Sequence, residues 1–393
     1  MIKTLSFTFY LIAFDFIISQ LFLLDILYQK KIDIFKSDLK NRISHKEYKY
    51  TFKENSEFIA RYDYKYSLID YLISTNNLGF RDKTIRTLNK DKNYSIVIGD
   101  SFVEGVALNY EDTLLASLNK KLTQNQFNQF EFLNAGVSSY SPYIYRKKIE
   151  NILKTNNWLN VKSVIILYDK SDVGDNTAYL NKPREFPVEK KVFKNRKKEK
   201  LLQDLKNFKF SSIFTEQTIT GIFLREIIGS SFENLVRHIK FRLKFSRDEN
   251  KSFFKVSKKE INALYASDFH RLQNFFYTPL WENEGKKSID FAFEDFIKLK
   301  SFLEKKNIKL YVVVYPWPFD LLDGKVRKKY LNYLNKKFKE SNIDNLIIYD
   351  EFLKGNVVNN IFEFYIPKDV HFNKKGNEIL SNKIFEEFFI TNK

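Results

Sequence analysis

The chain has 393 residues, of which 44% are hydrophobic and 17% aromatic, enough apolar side chain to bury a substantial core and to exclude general disorder. It contains no cysteine, which removes disulfides, thiolate nucleophiles and cysteine-ligated metals. The formal net charge of +18 suits an anionic partner. A general bias toward Lys, Asn, Ile, Phe and Tyr accounts for it equally, and no nucleic-acid-binding module accompanies it, so nucleic acid is not an expected partner.

Residues 5–28 read LSFTFYLIAFDFIISQLFLLDILY, long enough at 1.5 Å per residue for one membrane-spanning helix. Asp15 and Asp25 count against that reading, because a carboxylate in the bilayer needs a partner or water. A cleaved signal peptide and a buried or interfacial helix are the alternatives. The expectation is a single-pass anchor over 1–29, followed by a polar tether over 30–60, with the catalytic part on the extracytoplasmic side. Lys30, Lys31, Lys36 and Lys40 oppose that orientation.

A folded part is expected over 61–393. Asn76-Asn77-Leu78-Gly79 marks a turn between short extended pieces. Residues 94–98 form an apolar run with no polar face, the pattern of a buried parallel strand. Further strands are predicted at 129–136, 161–169, 308–316 and 345–351, and helices at about 104–120, 142–156, 290–306, 324–340 and 374–389. This alternation predicts an α/β fold with three layers, α/β/α, around a parallel sheet of about five strands. Residues 177–285 break the rhythm and read as an inserted helical cap with a basic stretch at 182–200.

Two short segments carry chemistry. In IVIGDSFVEG, 96–105, Ser101 sits between a buried strand and a helix, at the sheet edge where open α/β sheets bind ligands. Backbone N–H groups of the following turn can face a developing oxyanion there. An ordinary strand–helix turn with a capping residue is the alternative. In DVHFNKKGNEIL, 369–380, Asp369 and His371 stand just before the last helix. An imidazole can take a serine proton near neutral pH, and a carboxylate can hold its tautomer. His45, His238 and His270 make no H-E-x-x-H pair with it, so no zinc-protease site is read and no metal is expected.

Together these segments resemble the SGNH, or GDSL-type, hydrolases, a flavodoxin-like α/β family. The first block is Gly99-Asp100-Ser101 and the last is Asp369-Val370-His371. Asn134-Ala135-Gly136 matches the second block, which implies that the Gly136 N–H joins the Ser101 N–H in an oxyanion hole. The third block departs from the family's G-x-N-D: after the third strand stand Tyr168-Asp169-Lys170-Ser171-Asp172. Ser171 holds the nominal asparagine position and is a candidate replacement donor, with Asn176 an alternative. Finer resemblance at 74–82, 111–118 and 312–318 points to a membrane-anchored branch linked to surface-polysaccharide acylation.

The resemblance implies acyl-ester hydrolysis through Ser101, His371 and Asp369 on a glycan or lipid ester, without a cofactor. The alternatives are O-acyl transfer to a polysaccharide and a non-catalytic, membrane-tethered glycan-binding or assembly protein. Asp100 is expected to stabilise the serine's turn, and Asp100, Asn134, Tyr315 and Trp317 are candidates to line the acyl or sugar pocket. Arg81 and Asp82 are expected to brace the preceding strand pair.

Overall fold

The computed structural model describes residues 41–48, 50–64, 67–180, 281–367 and 369–391, with Tyr10, Phe14, Asp15 and Ile17. The chain divides into two compact units, one of Met1–Leu39 with Pro187–Ser246 and one of Lys40–Phe186 with Arg247–Lys393. The second holds everything described below.

Two expectations about architecture are corrected. The sheet is not a five-stranded parallel one. Among the described residues it has eight strands and is mixed. Its parallel part is β6 (Asn93–Ile98), β7 (Phe130–Asn134), β8 (Val161–Tyr168), β9 (Lys309–Val314) and β10 (Asp344–Ile347). On the β7 side it continues antiparallel through β5 (Arg81–Asp82), β4 (Ser67–Thr75) and β3 (Glu57–Tyr64). A separate hairpin pairs β1 (Arg42–Ser44) with β2 (Tyr50–Phe52), so strands occupy part of the stretch expected to be a tether.

The membrane anchor is the second correction. Among the described residues no helix is long and apolar enough to cross a membrane, so the single-pass localisation and the membrane partner are withdrawn. Most of 5–28 lies outside the described residues, as do 181–280 of the expected cap.

The central parallel strands β6, β8 and β9 are rich in β-branched and aromatic residues, and both of their faces are covered. Val97, Ile165, Leu167, Tyr311 and Val313 pack in one core with Leu114, Leu118 and Leu122 of one helix and Leu380, Ile384 and Phe385 of another. On the other face Tyr168 meets Phe296 edge to face, with ring centroids 5.5 Å apart. Each such side chain taken from water contributes roughly 1.5–3 kcal/mol.

Strand order runs β10-β9-β8-β6-β7. From β6 the chain goes to β7 on one side and then returns to β8 on the other. The crevice at the carboxyl end of β6 is therefore the switch point where such sheets bind ligands.

Candidate active site

Ser101 opens a single-turn helix, α1 (Ser101–Glu104), directly after β6. Asp100 is its N-cap, and the Asp100 carboxyl accepts from the Phe102 N–H at 3.0 Å. Gly105 ends the turn at φ 76°, in the left-handed region that favours glycine. The Ser101 N–H, at the first helical position, has no intrahelical acceptor.

His371 and Asp369 lie in the loop before helix α2 (Lys374–Phe385). His371 Nε2 is 2.8 Å from Ser101 Oγ. His371 Nδ1 is 2.5 Å from Asp369 Oδ1, which also accepts the His371 backbone N–H at 2.9 Å. With Nδ1 bonded to the carboxylate, Nε2 is left as the acceptor for the serine proton. Burial alone would lower the His371 pKa, but the charge and hydrogen bond of Asp369 outweigh it and raise it. Burial alone would raise Asp369, and His371 outweighs that and lowers it.

The loop after β7 brings Gly136 against α1. A Cβ there would lie 2.5 Å from Val103 Cβ and 2.9 Å from the Glu104 nitrogen, so only glycine allows this approach. The Gly136 N–H donates to Asn134 Oδ1 at 3.1 Å, and Asn134 Nδ2 donates to the Val103 carbonyl at 2.7 Å. Asn134 is thus a buried clamp between loop and helix and not a pocket wall. Buried Lys148 donates to the Ala135 carbonyl at 2.9 Å, on the same peptide unit as the Gly136 N–H. Burial pulls its pKa down to about 7.

After β8, Ser171 Oγ lies 2.6 Å from Asp169 Oδ1 and 3.0 Å from Asp100 Oδ2. Its hydroxyl is engaged by carboxyls and not held out toward the serine. Tyr315 and Trp317, at the end of β9, are buried. Their O–H and N–H donate to Asp169 Oδ2 at 2.9 and 2.8 Å, so they support the third-block loop from behind. The Asn176 amide nitrogen is buried with no hydrogen-bond partner. Arg81 donates to the carbonyls of Glu104, Gly105, Leu72 and Leu108, bracing α1 against β4.

Two groups at the site escape sequence reasoning. Tyr62, on β3, hydrogen-bonds the Asp369 carboxylate and meets the His371 ring edge-on at 5.5 Å. Glu104, four residues from Asp100 and fully buried, accepts two bonds from the Arg42 guanidinium at 2.7 and 3.1 Å. It also takes the N–H and O–H of Ser138 at 2.6 and 2.7 Å. Both depend on partners distant in sequence. Among the described residues no cluster of His, Asp and Glu could hold a metal ion.

No family model matches the chain, and no curated protein matches it either. Solved structures resemble it distantly. An acetyl xylan esterase is 14% identical over 75% of this chain and 100% of its own, with a TM-score of 0.38. A member of the lipolytic G-D-S-L family from Veillonella parvula is 14% identical over 76% of this chain and 99% of its own, at 0.37. An acetylxylan esterase from Geobacillus stearothermophilus, as a catalytic mutant, is 10% identical over 75% and 93%, at 0.37. All three likenesses are partial, with TM-scores of 0.37 to 0.38.

Proposed function

We propose that the chain is a serine-dependent acyl-ester hydrolase. The observation that carries this reading is the hydrogen-bonded series from Ser101 Oγ through the His371 ring to Asp369, with links of 2.8 and 2.5 Å, at the sheet's switch point. Ser101 Oγ attacks the ester carbonyl as His371 Nε2 takes its proton. The imidazolium then returns that proton to the leaving alcohol, and water attacks the acyl-enzyme by the same route. Asp369 holds the ring and stabilises its charge. The oxyanion forms beside the Ser101 and Gly136 N–H groups, and the Gly136 N–H must turn from or share its bond to Asn134. Transfer of the acyl group to a sugar hydroxyl in place of water is the same chemistry with a different acceptor.

A second reading, a non-catalytic binding protein on this fold, is favoured by one observation: Gly136 N–H and Ser171 Oγ both already have internal partners. Turnover of p-nitrophenyl acetate by the full chain decides between them. S101A and H371A should each lose at least about 10³-fold, and a serine-directed phosphonate should label Ser101 in the wild type. A rate unchanged in S101A, or no labelling, overturns the hydrolase reading.

A further inference from the structure

The site lacks the third block's amide donor, and the serine in its place has a problem of supply. Ser171 Oγ carries one proton yet lies between two carboxyl oxygens, Asp169 Oδ1 at 2.6 Å and Asp100 Oδ2 at 3.0 Å. Ser101 Oγ also faces Asp100 Oδ2, at 3.4 Å, but its single proton goes to His371 Nε2, 2.8 Å away. Across Asp100, Ser171 and Asp169 the arrangement is therefore one proton short, unless a carboxyl carries it.

The donors say which one. Asp169 accepts the Ser171 N–H at 2.7 Å, the Trp317 indole N–H at 2.8 Å and the Tyr315 O–H at 2.9 Å. A backbone N–H and an indole can only donate, so both oxygens of Asp169 act as acceptors. Asp100 has one such donor, the Phe102 N–H at 3.0 Å. The negative charge belongs on Asp169 and the proton on Asp100.

The groups facing Asp100 agree. From the loop after β8 come Asp169 and, behind it, Asp172. Tyr145 faces it from the helix Pro142–Thr155, and Tyr315 from the end of β9. His371, which gains positive charge, pulls the other way. The lysine of this loop, Lys170, is paired instead with buried Asp320. Burial, and then the charge of Asp169, push the Asp100 carboxyl up to about 8, against the pull of the Phe102 N–H, His371 and Ser171.

We propose that Asp100 works as a neutral carboxylic acid whose hydroxyl is the side-chain donor beside Ser101 that the third block no longer provides. The proposal rests on the hydrolase reading and deepens it. In the resting site the Asp100 O–H donates to Ser171 Oγ, whose own proton goes to Asp169. As Ser101 Oγ attacks, negative charge builds on the carbonyl oxygen of the ester, and the Asp100 O–H, on an oxygen 3.4 Å from the attacking atom, donates toward it. Once Asp100 ionises, a carboxylate 3.4 Å from the nucleophile oxygen opposes that charge instead.

The test is the pH profile of p-nitrophenyl acetate turnover by the full chain, wild type against D100N, corrected for uncatalysed hydrolysis. Asparagine keeps the helix cap and offers an uncharged donor that does not titrate. With Asp100 at about 8, wild-type kcat/KM should fall about tenfold between pH 7 and pH 9. In D100N that fall should be absent. A wild type with no alkaline fall, or the same fall in D100N, overturns the proposal.

Thermal unfolding provides a readout that does not need activity. A carboxyl held neutral in the fold keeps a proton that the unfolded chain loses above about pH 4. Stability then declines as pH rises toward the folded value and levels off above it. The wild-type Tm should fall relative to D100N by at least about 4 °C between pH 5 and pH 8. Parallel Tm curves overturn the proposal even where ester turnover is normal. A diverging pair of curves with no turnover in any variant would keep the neutral Asp100 and remove the hydrolase reading.

Discussion

The single-turn helix that carries Ser101 has a buried carboxyl at each end, Asp100 before it and Glu104 at its last residue. Water is excluded from both, yet their chemistry diverges. Glu104 has a guanidinium and the two Ser138 donors around it. Burial alone would raise its pKa, and Arg42 outweighs that and holds it down to about 2. Asp100 has one backbone donor, a hydroxyl already claimed by a better acceptor, and a neighbouring carboxylate; it is pushed up to about 8. Burial sets the cost of a charge, and the partners decide whether the charge is kept. The charged end anchors the nucleophile's helix to the β1–β2 hairpin, and the other end leaves the nucleophile without an anionic neighbour at neutral pH.

Asp369 is a third buried carboxyl, and its partner is a group that itself titrates. It offers the largest test of the rule. D369N keeps the shape, removes the charge and leaves the imidazole without its tautomer lock, so kcat/KM toward p-nitrophenyl acetate should fall about 10⁴-fold. The acid limb should move as well. His371 must be neutral to accept the serine proton, and its pKa is raised above 6.5 in the wild type, so activity rises with pH through that higher value. In D369N the limb should shift to lower pH. A limb that stays in place would mean that Asp369 does not govern the ring.

Breaking the charged end comes next. R42A leaves Glu104 buried without its cation, which should cost about 3–5 kcal/mol by urea unfolding at pH 7. The sign of the pH dependence follows from the lowered pKa. The stability that Glu104 contributes is complete above the unfolded value of about 4.5 and disappears as pH falls through about 2. The R42A penalty should therefore shrink at low pH as Glu104 takes up its proton, whereas the difference between wild type and D100N runs the opposite way. A penalty independent of pH would assign Arg42 a packing role over the rings of Tyr50 and Phe52.

What could be read from the sequence follows the same division between local and distant causes. The central strands of the parallel half are largely apolar on both faces, and the expected 94–98 and 161–169 appear as Asn93–Ile98 and Val161–Tyr168. Ser101 stands out in the sequence in a strand-to-helix turn, and Asp369 and His371 two residues apart just before the last long helix. The antiparallel extension does not stand out, because β3 is broken up by Glu57, Arg61 and Asp63 and β5 is two residues long. Glu104 and Arg42 are 62 residues apart, and nothing local marks them as a pair. Tyr315 and Trp317 read as pocket aromatics because their polar ends find a buried carboxylate only once Asp169 is folded beneath them.

The smallest effect tests what the extension adds. Tyr62 reaches the far side of the His371–Asp369 pair from β3, so the antiparallel strands touch the chemistry through one phenol. Removing an ordinary hydrogen bond costs about 0.5–1.5 kcal/mol, and Y62F should lower kcat/KM about three- to tenfold. Because the bond helps to keep Asp369 ionised, and ionised Asp369 raises His371, the acid limb in Y62F should move slightly in the same direction as in D369N. A purely structural role for the strand pair would instead lower Tm with no movement of the limb. The two variants share a direction only if the phenol acts through the carboxylate, which makes the extension a part of the site and not only of the sheet.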